Sequence, residues 1–476
     1  MKRTNIPTTS WFKVSAPAWS FWLWATATFA ALFIVVILGT AWAVRHALTG
    51  GSRISAAQAR LILGTAEYPG RVYAAINELH ARLGGDPLQL LIDRKTTETP
   101  SWVRHFPAAA DPGYLLFSGV DPEAKKSIVK LIRISDGDVL ARWDPDWTSI
   151  YQKITSKKFA IAAGPSAARA MHPLLLPDGS IVFNTPFAMV RAHPCSPEPV
   201  WVLNDALHHS NELDQNGDIW TPSMSLDGLA ENTWLQENVR DDAIARVSTD
   251  GRLLEKRSFA RIMRENGLQS LLLGIAGVKL NNDPIHLNQI QIALQDSQYW
   301  KQGDLLISAR HLSTVFLYRP STGKIIWHKT GPWLNQHSVD FVNDHQISIF
   351  DNNVIASAPK EYAFMTPSET NRVFIYDFRN GQLLQPYAAL LAQARPVTLT
   401  EGRARVLPDG GLFLEETNYG RDLRFTRDRL LWSRVNDYDE RRIGMISWSR
   451  YLTAEEATEP LLALAARKCS VMTSAK

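Results

Sequence analysis

The stretch "VFLYRPSTGKIIWHK", residues 315–329, decides the fold. An apolar run, a polar turn around Gly323 and a second run marked by Trp327 read as a β-hairpin. The pattern recurs as "VKLIRISDGDVLARW" (129–143), "AIARVSTDGRLLEKRSF" (243–259) and "VFIYDFRNGQLLQPY" (373–387), and more weakly as "VRAHPCSPEPVWVL" (190–203) and "DLRFTRDRLLWSRV" (422–435). Six hairpins spaced by about 50 to 70 residues suit a propeller, because one four-stranded blade cannot bury both faces until neighbours stack on it. The expected fold class is therefore all-β, a six-bladed β-propeller.

A second repeat alternates with the first: "MHPLLLPDGSIVF" (171–183), "HSNELDQNGDIW" (209–220), "HLNQIQIALQDSQYWKQGDLLISAR" (286–310), "HSVDFVNDHQISIF" (337–350) and "ARVLPDGGLFLE" (404–415). These are the expected strands nearest the propeller axis. Histidine stands first or second in four of the five, so His172, His209, His286 and His337 would converge near the central channel. Neighbours on a strand face opposite ways. Of the adjacent pair in "ALHHSNEL", His209 is then expected to face the channel and His208 the blade. Arg310 ends the strand paired with the His286 segment and would return to the same end. Its planar fork suits an oxyanion and does not suit the neighbourhood of a metal cation.

Composition sets the wider limits. The chain has 476 residues, 45% hydrophobic and 21% charged, which is ordinary for a folded protein. Its 51 basic and 47 acidic side chains are spread throughout, so the formal charge of +4 does not imply nucleic acid. The two cysteines, Cys195 and Cys469, form no metal motif. A bridge between them requires Cα atoms within ~7 Å, which nothing in the sequence demands.

From Ala16 to Val44 there is no charge, and this length exceeds the ~20 residues that cross a bilayer. The reading is an uncleaved single span; a cleavable signal ending near "AWA" is the alternative. The expected organisation is a cytoplasmic tail (1–15), a transmembrane helix (16–44), a helical stalk (45–100) with a capping box at Ser55 and Gln58, the propeller (101–455) and a C-terminal tail (456–476). The span would place the N-terminus inside and the propeller outside, since large C-terminal bodies translocate regardless of flanking charge.

The runs "DPIHLNQIQ", "GDLLISARHLSTVFLYRPSTGKIIWHKTGPW" and "QHSVDFVNDHQISIFDNN" resemble the bacterial aryl sulfotransferase family, and "HHSNELDQNGDIW" resembles its earlier His-His segment. The likeness is strong over about 200–355 and extends elsewhere only by pattern. It implies a six-bladed propeller that moves a sulfuryl group from an aryl sulfate to a phenol without nucleotide-activated sulfate, and no cofactor or metal. It further implies that His337 is the nucleophile, with His286, Arg310 and His209 completing the catalytic group. His208, Asn288 and His172 would line the substrate. The chain departs from the family in its N-terminal span and helices, found in place of a β domain, and a homodimer is left open. Two other readings remain at this level: a non-catalytic, membrane-displayed propeller that binds a partner, and an enzyme using a four-histidine metal site.

Overall fold

The computed structural model describes residues 18–49, 58, 61–62, 65, 68–93, 101–105, 107, 111–155, 164–186, 188–225, 239–273, 283–357, 364–367 and 370–467. It divides into two compact units, Met1–Ala74 and Ala75–Lys476. The first contains the helix Ala18–Thr49, within which Thr26–Val44 is long and apolar enough to cross a membrane. Ser55 of the expected capping box lies outside the described residues. Pro69 stands in the first turn of the helix Tyr68–Arg82, where its missing N–H costs nothing.

The second unit is a six-bladed propeller. Blade one is built from Arg450–Leu452, Tyr114–Asp121, Lys126–Arg133 and Val139–Trp143, innermost strand first. Blade two runs Met171–Leu175, Ile181–Thr185, Ala188–Ala192, Pro199–Leu203, and blade three Glu212–Leu213, Ile219–Ser225, Asp241–Val247, Leu253–Ser258. Blade four is Leu287–Ile292, Leu305–Ala309, Thr314–Arg319, Lys324–Thr330, and blade five Val339–Phe341, Gln346–Asp351, Arg372–Asp377, Gln382–Leu384. Blade six comprises Arg403–Val406, Leu412–Glu416, Arg421–Phe425, Leu430–Val435 and a fifth strand, Trp102–Arg104. Each hairpin read from the sequence is the outer pair of a blade, and each histidine-headed repeat an inner pair. Gly323 closes the outer hairpin of blade four at a φ of 69°, a left-handed conformation that glycine adopts without steric cost.

Both faces of each blade are apolar because side chains alternate along a strand. In blade one, Leu115 and Phe117 pack against Phe413 and Trp432 of blade six, while Leu116 between them packs with Phe183 and Val190 of blade two. Among the described residues there are six such clusters, one at each junction between adjacent blades. The ring is closed twice. Arg450–Leu452, from the C-terminal end, forms the inner strand of blade one, and Trp102–Arg104, from the N-terminal end, forms the outer strand of blade six.

Two segments outside the repeats are ordered. Leu91–Asp93, within the span read as stalk, pairs with Arg442–Gly444. Ala454–Ala466, mostly within the span read as tail, is a helix capped by Thr453 and Glu456 in a capping box. Cys195 is disulfide-bonded; the other cysteine of the chain, Cys469, lies outside the described residues.

Candidate active site

Five residues at the heads of innermost strands share one unusual backbone conformation. His172, His209, His286, Glu401 and Trp448 have φ of 50°, 59°, 55°, 63° and 59°. A non-glycine residue held there costs about 1–3 kcal/mol, and it persists only where its surroundings over-determine it. Buried side chains do so here. The Asp242 carboxylate accepts the His286 N–H at 2.6 Å, and Glu415 accepts the N–H groups of Trp448 and Ser449. Asn184 donates to the His209 carbonyl at 3.1 Å and Asn211 to that of His172 at 3.0 Å. The sixth strand head carries His337, with the left-handed residue displaced to Asn335 (φ 57°).

His209 is the hub of the histidines these turns bring together. Its ring centre lies 4.8 Å from that of His208, 5.2 Å from His286 and 6.3 Å from both His172 and His337. His208 is buried beside Asp242, its Nε2 3.6 Å from the carboxylate and its Nδ1 2.6 Å from Nδ1 of His209. His172 stacks on Trp448 at 3.9 Å, and neither of its ring nitrogens has a hydrogen-bond partner among the described residues. Asn288 is buried, and its amide donates to the Gln336 carbonyl at 3.0 Å, a strut between blades four and five.

The tautomer of His337 follows from its neighbours. The Asn352 amide nitrogen donates to the carbonyls of Thr398 and Glu401, at 3.1 and 2.8 Å, so its oxygen is the atom turned to His337 Nδ1 at 2.6 Å. An oxygen there can only accept, and Nδ1 therefore carries the hydrogen. Nε2 carries the lone pair, which accepts the Glu401 N–H at 2.8 Å. Burial first, and then the charge of Arg310, hold the His337 pKa well below the ordinary histidine value, so the ring is neutral at neutral pH. His209 is depressed likewise, by burial and then by His208, and His172 by burial and then by Arg403 and Arg450.

Gln336 donates to the carbonyls of Ala309 and Thr314, both at 3.0 Å, and so ties the turn bearing Arg310 to the strand bearing His337. Arg310 is buried and donates to His311 Nε2 at 2.9 Å. A second cation is close by: Arg169 pairs with Glu401 at 2.6 Å.

Among the described residues, the group placed to hold a metal is not the four histidines. It is Asp283, His286 and His311, whose ligand atoms lie within 4.8 Å of one another. Both Nδ1 atoms instead meet oxygens of Asp283, at 2.7 Å (carboxylate) and 2.5 Å (carbonyl). A dication there would also face Arg310, at a cost of about 4 kcal/mol per unit charge pair at 4 Å and an effective dielectric of 20. These residues read better as a hydrogen-bonded support.

A cavity of about 490 Å³ opens elsewhere, lined by Trp300, Phe341, Asp340, Arg403 and Arg405 and by none of the histidines. The Arg450–Glu212 ion pair, at 2.9 Å, lies on its wall, and Arg450 also depresses His172, so this pair lies between the cavity and the histidine cluster.

Asp283, His311, Asn352, Glu401 and Trp448 were not singled out by sequence reasoning. Asp283, three residues before His286, His311, directly after Arg310, and Asn352, in "FDNN", were within the quoted motifs; Trp448 carried no signal, because its strand pairs with one more than 300 residues away.

Fold and site together define a propeller with a cluster of histidines, of which His172, His209 and His337 are buried and neutral, and a buried arginine beside them. Residues 172–436, more than half of the chain, match the family model described as arylsulfotransferase (ASST). The chain belongs to the arylsulfotransferase family, and this membership supports aryl sulfotransferase activity in general. A comparison with curated proteins finds no match. Among solved structures, a Bacteroides caccae protein of unknown function is 11% identical, with 72% of this chain and 99% of that one covered and a TM-score of 0.42. The periplasmic gluconolactonase of Pseudomonas aeruginosa is 14% identical over 72% and 99%, with a TM-score of 0.36. The hydrazine synthase of Kuenenia stuttgartiensis is 10% identical over 65% and 75%, with a TM-score of 0.35.

Proposed function

We propose that this chain transfers a sulfuryl group from an aryl sulfate to a phenol in two half-reactions through a sulfohistidine at His337. The observation that carries the reading is the fixed neutral tautomer of His337, with its lone pair on Nε2. In the first half-reaction Nε2 attacks sulfur, the N–S bond forms and the S–O bond to the aryl group breaks. The electron pair leaves on the phenolate oxygen, which takes a proton from a protonated histidine of the cluster. In the second, an acceptor phenol returns that proton, its oxygen attacks sulfur and the electron pair returns to Nε2. Splitting the transfer this way is what a regenerable nucleophile offers.

Arg310 and the N–H of Glu401 are the donors suited to the sulfuryl oxygens, where charge-assisted hydrogen bonds are strongest. That N–H caps Nε2 here, so attack requires the turn at Glu401 and Gly402 to shift and pass the donor to the sulfuryl oxygen. His209 and His286 flank the transferring group, and His208 and His172 support them. Thr26–Val44 acts as a single membrane anchor with the propeller on the periplasmic side. The test is exposure of the purified full chain to a chromogenic aryl sulfate without acceptor. One equivalent of phenol released in a burst, followed by turnover on adding a second phenol, is expected; steady release without acceptor and without a burst overturns the two-step reading.

A further inference from the structure

We propose that Asp283 is the positioning residue that makes His286 the proton carrier of this transfer, and that its backbone carbonyl also aims Arg310 by way of His311. The inference rests on the sulfuryl-transfer reading above and adds to it a division of labour within the cluster.

The Asp283 carboxylate lies 2.7 Å from His286 Nδ1. An ionised carboxylate only accepts, so Nδ1 must carry a hydrogen. Proton exchange then falls to Nε2, across the ring from Asp283 and without a hydrogen-bond partner among the described residues. The ring is 22% exposed, unlike the deeply buried His337. The carboxylate stays ionised: burial opposes this, but the hydrogen bond from His286 and the positive charge around it, that of Arg240 included, outweigh it and bring the pKa down to about 2. The backbone of His286 is fixed independently by Asp242. Carboxylate, oriented imidazole and reacting group in sequence form the arrangement by which a histidine is held in one tautomer for acid–base work.

The carbonyl of the same residue performs a second task. His311 Nδ1 lies 2.5 Å from it, so that nitrogen carries the hydrogen and Nε2 is left as the acceptor for Arg310 Nη1 at 2.9 Å. The rings of His286 and His311 are 4.5 Å apart, so one residue anchors both the proton carrier and the cation. In the first half-reaction His286, protonated on both ring nitrogens, passes its Nε2 proton to the departing phenolate oxygen as the S–O bond breaks and is left neutral with its hydrogen on Nδ1. In the second, Nε2 takes the proton of the acceptor phenol. Asp283 remains ionised throughout.

A structural prop and a proton-carrier orienter differ in their dependence on the leaving group. The full chain and its Asp283→Asn and Asp283→Glu variants are assayed with nitrophenyl sulfate, whose phenolate leaves without help, and with phenyl sulfate, whose basic phenolate needs a proton. Asparagine can turn its amide to Nδ1 and favour the wrong tautomer, while its backbone carbonyl still serves His311. The expected result is a loss about 10²-fold larger on phenyl sulfate than on nitrophenyl sulfate, partly restored in Asp283→Glu. Equal losses on the two donors overturn the proposal.

His311→Phe is expected to raise KM for both donors by the same factor; an unchanged KM overturns the second arm. Nitrogen-15 histidine spectra of the wild-type chain need no variant: a hydrogen on His286 Nδ1 supports the assignment and one on Nε2 alone refutes it. If the wild type turns over neither donor, the sulfuryl-transfer reading fails, and these spectra still decide whether Asp283 orients His286.

Discussion

Replacing His172 by phenylalanine changes how stability depends on pH, and the structure fixes the sign and size of the change. His172 is buried, stacked on Trp448, without a partner for either ring nitrogen, and burial holds its pKa well below the ordinary value. In the unfolded chain it titrates near pH 6.5. Below that pH the unfolded state binds a proton that the native state refuses, so stability is full above about pH 6.5 and falls as pH drops towards the folded pKa, by up to about 1.4 kcal/mol per pH unit. Between about pH 7 and about pH 5.5 the integral is ~1.3 kcal/mol.

Phenylalanine keeps the stacking and removes this contribution. Terms that do not depend on pH, such as the left-handed backbone and the loss of two orphaned nitrogens, cancel when the difference between variant and wild type is compared at the two pH values. Buried carboxylates whose pKa is raised, Glu415 to about 8 and Asp340 to about 6, act with the opposite sign, but they are common to both proteins and cancel as well. The assay is urea unfolding of the full chain in detergent at the two pH values. His172→Phe should gain ~1.3 kcal/mol relative to wild type on acidification. Equal acid sensitivity in both proteins would refute the claim that His172 is buried neutral.

Other perturbations probe the ring and the site. Phe316 is fully buried at the junction of blades three and four, edge-on to Phe259 at 5.1 Å, so Phe316→Ala should cost about 3–5 kcal/mol in urea unfolding. Arg310→Lys cannot hold His311 and present a planar fork to an oxyanion together; kcat/KM should fall about 10²-fold or more with the unfolding curve unchanged. If Thr26–Val44 is an anchor, the intact mass of the membrane-extracted chain includes it, whereas a cleaved signal gives a chain beginning near Val44.

The blades were legible because each outer hairpin is local: an apolar run, a turn residue suited to left-handed backbone and a second run, as at Gly323 and Gly381. The closure was not. Arg450–Leu452 and Trp102–Arg104 are short, and their partners lie more than 300 residues away, so no local pattern marks them as strands. The histidines were legible through their repeated place at strand heads. Their direction was not, because it depends on left-handed backbone at His172, His209 and His286, which no local residue preference announces and which distant side chains such as Asp242 and Asn184 impose. Asn288 is a further case. Its motif suggested substrate contact, and no local pattern announced that its amide nitrogen ties blade four to the Gln336 carbonyl.

The most direct test is to locate the sulfuryl group. The full chain is exposed to nitrophenyl sulfate without acceptor, digested above neutral pH and mapped by mass spectrometry. One sulfuryl group on His337, discharged by added phenol and absent from a folded His337→Asn variant, is the expected result. A sulfuryl group on another residue, or undiminished turnover in His337→Asn, would contradict it.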